Sequence, residues 1–181
     1  TWRNYIDRLD TKANKANKAF DYLLNNDIKL KLPKKLYNKL LEECLNAEKN
    51  EKYVTDLSSE GVPPHFFIEK NHDELINFIR SAHELYEKNF PNLADIKVLT
   101  NNLPYKYERP WMNLQKQNEF IPWHNHDGIF SYSIWMKIPY DSSKQKFSGN
   151  FHFMYLDVLG VTRSETHTLS KKDEGTLVMF P

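Results

Sequence analysis

A mainly β chain with an N-terminal helical part, an α+β fold, is what this sequence predicts. Two observations carry that expectation. Up to about residue 95, apolar residues recur at helical spacing. From about Ile96, that period vanishes, and short β-prone runs alternate with turn signals. Many short strands in succession predict a sandwich or barrel, and they exclude a parallel βαβ sheet. Two regions follow, a helical one over 1–95 and a β core over 96–181.

The helical part reads as three helices. Residues from about Lys12 to Asn25 carry a weak stripe of Ala16, Phe20, Leu23 and Leu24. Pro33 suits the first turn of a second helix, where its missing N–H costs little. Leu36, Tyr37, Leu40, Leu41, Cys44 and Leu45 then repeat at helical period. Asn50 to Phe67 is irregular, broken by Gly61-Val62-Pro63-Pro64, and His65 follows the prolines as a loop residue. The third helix has Asn71 as N-cap with Glu74 three residues on, a capping-box pattern. Its face is Leu75, Ile79, Ala82, Leu85 and Tyr86, with His72 in the first turn, His83 near the middle and Pro91 as the stop. Expected strands are Ile96 to Thr100, Trp111 to Gln115, Glu119 to Trp123, Ile129 to Ile138, Asn150 to Leu156, Glu165 to Leu169 and Thr176 to Phe180. Turns fall at Pro139 to Ser143 and at Lys171 to Gly175.

Composition narrows the function. The chain has 181 residues and a formal charge of +1, with lysines interleaved among acids. Nucleic-acid binding needs a concentrated basic surface, so no nucleic-acid partner is expected. No run nears the roughly 18 apolar residues of a membrane helix, and no membrane partner is expected. The single cysteine, Cys44, rules out an internal disulfide and fits a reducing, cytoplasmic location. It reads as a small buried apolar residue.

The chemistry concentrates in Pro122-Trp-His-Asn-His-Asp-Gly128. On a strand, residues i and i+2 share a face, so His124 and His126 lie side by side at the spacing of two ligands to one metal. Neutral imidazole suits iron, zinc and copper. A His-x-His pair also occurs as a solvent-facing strand edge. Trp111, Trp123 and Trp135 read as core or pocket wall. Phe130, Ile134 and Met136 read as barrel interior.

The run Trp111-Met-Asn through His124-Asn-His126 and Ser131-Tyr-Ser to Pro139 resembles the 2-oxoglutarate/Fe(II) oxygenases of cyanophages and related bacteria, a prolyl-hydroxylase-like group. Glu174-Gly-Thr-Leu-Val-Met-Phe-Pro181 is similar to the Gly-x-Leu-x-x-Phe-Pro strand of such enzymes. The resemblance covers roughly Ile96 to Pro181. It implies a double-stranded β-helix, a jelly-roll or cupin-like barrel with flanking helices packed outside one sheet. It implies an oxidoreductase, a 2-oxoglutarate-dependent dioxygenase using Fe(II), 2-oxoglutarate and O2 to hydroxylate a peptide or small metabolite in a phage-infected bacterium. The metal ligands are then His124 and His126, or one of them with Asp127 or a water in the second place. Asn113 and Gln115, alternate residues of one strand, are placed to bind the chelated carboxylate of the cosubstrate, and Tyr132 its other end. A polar outer face explains Asn113 and Gln115 equally well. In this family, a distal His and a basic anion clamp follow the Phe-Pro strand, so the core is expected to be truncated at its C-terminal end. His152, in a strand, and His167, in a polar run expected to be exposed, are the substitutes within the chain. Two other functions stay open: a non-catalytic cupin-like or virion-associated binding module lacking the full triad, and a zinc or manganese enzyme on the same barrel.

Overall fold

The computed structural model describes residues 28–49, 52–53, 63–89, 105–124, 128–141, 143–144, 149–156 and 159–180. The expected helix at Lys12 to Asn25 and the expected strand at Ile96 to Thr100 lie outside them. The described elements run β1 (Ile28–Lys31), α1 (Lys34–Leu45), β2 (Lys52–Tyr53), β3 (His65–Phe67), α2 (His72–Asn89), β4 (Trp111–Asn113), β5 (Ser131–Ile134), β6 (Phe151–Leu156), β7 (Thr162–His167) and β8 (Thr176–Phe180). They form small antiparallel sheets in the orders β1-β8-β5, β2-β3-β4 and β6-β7, with no closed barrel among the described residues.

Both described helices follow their apolar period. Leu36, Leu40 and Cys44 are buried on α1, while Leu45 turns to solvent. Leu75, Ile79, Ala82 and Tyr86 are buried on α2, joined by Ile76 and His83. Pro33 stands one place ahead of the helix expected to contain it, at the N-cap, where its carbonyl accepts from Tyr37 N at 2.9 Å.

The start of α2 differs from the expected capping box. Glu43, buried on α1, accepts from the backbone N–H of Glu69 (2.7 Å), Lys70 (2.9 Å) and Asn71 (3.2 Å), and from Asn71 Nδ2 (2.8 Å). A carboxylate from a neighbouring helix thus occupies the positive end of the α2 dipole. Asn71 turns its amide toward α1, and Glu74 pairs with Lys39 instead.

The central sheet has two unlike faces. Ile28, Leu177 and Met179 point toward α1 and α2 and join their core; Leu30, Tyr132 and Ile134 pack against it. Strand alternation sends Val178 and Phe180 the other way. There the β6–β7 hairpin covers them, with Phe153 at 4.7 Å and Phe151 at 6.0 Å from Phe180, ring centroid to centroid. The order is helices, sheet, hairpin. Strand β1 comes from the region read as helical and is hydrogen-bonded along β8, so this sheet draws on both ends of the chain. Phe130, Ile134 and Met136 lie on the helix-facing side and not between the sheets.

Four expected strands change, Trp111 to Gln115 ending early at Asn113. Glu119 to Trp123 is irregular, since Pro122 lacks an N–H for a ladder. Ile129 to Ile138 contracts to Ser131–Ile134, the residues that pair with β8. The expected Glu165 to Leu169 moves back to Thr162–His167, in register with β6. Val161 and Leu159 are exposed on the connecting turn.

Candidate functional site

His124 ends the irregular segment that leads into β5. Its Nδ1 lies 2.8 Å from the carbonyl oxygen of Pro122. A carbonyl only accepts, so Nδ1 carries a proton, and Nε2 is the nitrogen left to meet a ligand. A histidine that binds metal through one nitrogen usually donates from the other to a carbonyl or carboxylate, which fixes its tautomer. The side chain is exposed, and neighbouring Trp123 is 55% exposed with its ring 5.6 Å from that of His152.

The end of this segment is held by α2. After the His-x-His run, Phe130 packs on Tyr86 at 5.1 Å and on His83 at 4.8 Å. His83 is buried. Its Nδ1 hydrogen-bonds the Tyr107 hydroxyl at 3.0 Å, and the Tyr105 ring stands edge-on at 4.2 Å. The residue entering β5 is thereby locked to the helical core. His126 and Asp127 lie outside the described residues. Among the described residues, no group of three or more His, Cys, Asp and Glu is placed to hold a metal ion.

A residue read as a loop histidine belongs to the same neighbourhood. His65 is in β3, directly opposite Asn113 of β4, and only 2% exposed. Phe66 and Met112 alternate with these two and face the core. The His65 ring rests on Trp111 at 4.3 Å. Burial, then the nearby charge of His124, holds its pKa below the usual histidine value. The neutral ring results. The β-prone run His65-Phe-Phe-Ile68, just after a proline pair that breaks the preceding segment, was the available signal for a strand here.

The structure brings together His65, Trp111 and Asn113, with the charge of His124 near enough to bear on His65. Gln115 is exposed and lies beyond the end of β4, so it does not share that strand's face. Tyr132 is opposite Met179 on the helix-facing side of the sheet, where burial pushes its phenol up to about 12. It lies across the sheet from Ser131 and Ser133. The substitute histidines diverge as well. His152 is exposed on the hairpin's outer surface, its Nδ1 2.9 Å from Thr166 Oγ1. His167, expected in solvent, is half-buried against Phe153 at 5.4 Å on the inner side.

No protein-family model, no curated protein and no solved structure matches this chain.

Proposed function

We propose that the chain is an Fe(II)/2-oxoglutarate-dependent dioxygenase on a double-stranded β-helix, hydroxylating a peptide or small molecule in the cytoplasm. The observation that carries this reading is the Pro122 carbonyl at His124 Nδ1, which sets the ring in the tautomer a metal ligand needs. The layering of helices, sheet and facing hairpin supports the barrel. The single, buried Cys44 supports the compartment.

The donor set fits iron. His124 would offer its Nε2, with His126 as the second ligand and Asp127 as its alternative. When bound, Fe(II) with 2-oxoglutarate and O2 supplies the oxidant for a C–H bond. The protein's share is placement. The Pro122 carbonyl orients His124, and the clamp of Phe130 on His83 and Tyr86 fixes the far end of the loop. Asn113 offers an amide donor to a carboxylate. Trp111, its ring tilted against that of His65 at 4.3 Å, walls that side with apolar surface. Tyr132 contributes to the core and not to the cosubstrate.

Anaerobically purified protein, loaded with Fe(II), tests the reading. Stoichiometric iron retention and succinate release that requires 2-oxoglutarate are expected. His124→Ala abolishes both while the far-ultraviolet circular dichroism stays unchanged. Iron binding and turnover intact in that variant would remove His124 from the site. A wild-type chain that retains no metal returns the reading to a binding module, and stoichiometric zinc without turnover returns it to a different metalloenzyme.

A further inference from the structure

His83 projects from the middle of α2 and is 4% exposed. Three separate pieces of chain meet at its ring. Tyr105 stands edge-on at 4.2 Å and Tyr107 at 6.2 Å, both from the segment that leads into β4. Phe130, at the entry to β5, packs at 4.8 Å and also meets Tyr86 at 5.1 Å and Tyr105 at 5.9 Å. The hydrogen bond between His83 Nδ1 and the Tyr107 hydroxyl, 3.0 Å long, ties α2 to the first of these segments. Nε2 is buried and makes no hydrogen bond among the described residues. Glu87 Oε1, one turn on, lies 3.7 Å from it, beyond hydrogen-bond reach.

Among the described residues, the charged and titratable groups facing this ring come from two elements. Glu84, Glu87 and Arg80 belong to α2 itself, and Tyr105 and Tyr107 to the β4 side; Phe130 brings no charge from the β5 side. Arg80 lies over the Tyr107 ring at 5.5 Å. Glu87 also holds the Tyr105 hydroxyl. A neutral imidazole fits this cage with one polar partner. A protonated one donates from both nitrogens and carries a charge that the aromatic walls keep from water. Burial outweighs the pull of Glu87 and Glu84, so escape to water is the favoured answer to the charge. Escape breaks the ring's contacts with Tyr105, Tyr107 and Phe130 together.

We propose that His83 is an acid-released latch. Neutral, it fastens the segments entering β4 and β5 to α2; protonated, it lets both go. A released ring takes its proton near the ordinary histidine value of about 6.5, and the buried one only at lower pH. Within that window the released form gains on the latched one by up to about tenfold per pH unit. The latch needs no metal, so it stands apart from the iron reading.

Aromatic NMR of the full chain, with a chelator present, tests this. At about pH 7.5, nuclear Overhauser contacts from Phe130 to His83 and to Tyr86 are expected. Both fade below about pH 6.5 as the His83 ring titrates, while the contact between Phe153 and Phe180, on the other side of the sheet, persists. His83→Gln keeps a neutral hydrogen-bonding group for Tyr107, and in it the Phe130–Tyr86 contact survives to about pH 5. A His83 ring that titrates at or above about 6.5 overturns the latch. So does a Phe130–Tyr86 contact that persists in the parent after His83 has titrated, or one that fades at the same pH in His83→Gln. Simultaneous loss of the Phe153–Phe180 contact means unfolding and overturns it too. Should His83→Gln fail to fold, coincidence of the His83 and Phe130 midpoints in the unaltered chain decides alone.

Discussion

Removing the Glu43 carboxylate is the sharpest perturbation of the frame that holds the candidate site. Glu43 is 4% exposed and receives four N–H groups, three from the backbone of Glu69, Lys70 and Asn71. Those residues directly follow β3 and Ile68, so the clamp joins α1 to the strand carrying His65 and to the head of α2. Hydrogen bonds to a charged group contribute about 1.5–3 kcal/mol each when measured singly. They do not add here, because Glu69 and Lys70 are exposed and water re-partners their N–H groups once the carboxylate is gone. Glu43→Ala is therefore expected to cost about 3–4 kcal/mol, within the range for breaking a buried charged network. In a chain of this size, that lowers Tm by about 10 °C. Glu43→Gln keeps the shape but turns one acceptor into a donor facing N–H groups, and should cost about half as much. Urea unfolding reads both as a fall in midpoint at constant slope. An Ala variant within about 0.5 kcal/mol of the parent would refute the clamp, since surface changes fall in that band. Equal losses for Gln and Ala would show that charge and not shape is being read.

Two further outcomes are expected. Gly175 has φ +70, and a Cβ there would meet the Tyr37 ring at 2.7 Å, while its N–H donates to Trp135 O and its carbonyl accepts from Leu32 N. Gly175→Ala should destabilise by more than about 1 kcal/mol in the same urea assay, and a neutral result would mean that the junction of β1, β5 and α1 gives way freely. His83 supplies a pH dependence. Burial lowers its pKa against the upward pull of Glu87 and Glu84. The folded value therefore lies below the unfolded one of about 6.5, and the unfolded chain takes the proton first as pH falls. Stability is full above about pH 6.5 and drops below it, by at most about 1.4 kcal/mol per pH unit for this ring. His65 adds the same sign. His83→Gln should flatten the slope of unfolding free energy between about pH 6.5 and 5, and a slope unchanged from the parent would assign the dependence elsewhere.

Several elements were legible before any coordinates. The spans of α1 and α2 follow from their apolar period, because a helix needs only local hydrogen bonds and one sided burial. Strands β6 and β8 emerge from β-branched and aromatic runs bounded by turns. Strand β1 was missed although Ile28-Lys-Leu-Lys31 alternates cleanly, since four residues are too few to outweigh a helical context. Its partner, β8, lies at the other end of the chain. The composition of Glu119 to Trp123 predicts a strand, but composition does not supply a neighbour to pair with. His65 reads as a loop residue because it follows two prolines, whereas its burial arises from β3–β4 pairing, which sets it opposite Asn113.

The sequence by itself determined the helical periods, the change of pattern in mid-chain, and a pair of imidazoles at ligand spacing, because each is written in residues close together. Only the tertiary structure decided which side of the sheet each side chain took. It turned Tyr132 toward the helices and His167 toward the central sheet, and it buried His65 opposite Asn113. Those choices depend on which distant strand supplies the hydrogen bonds, and a one-residue slip in that pairing would exchange the faces.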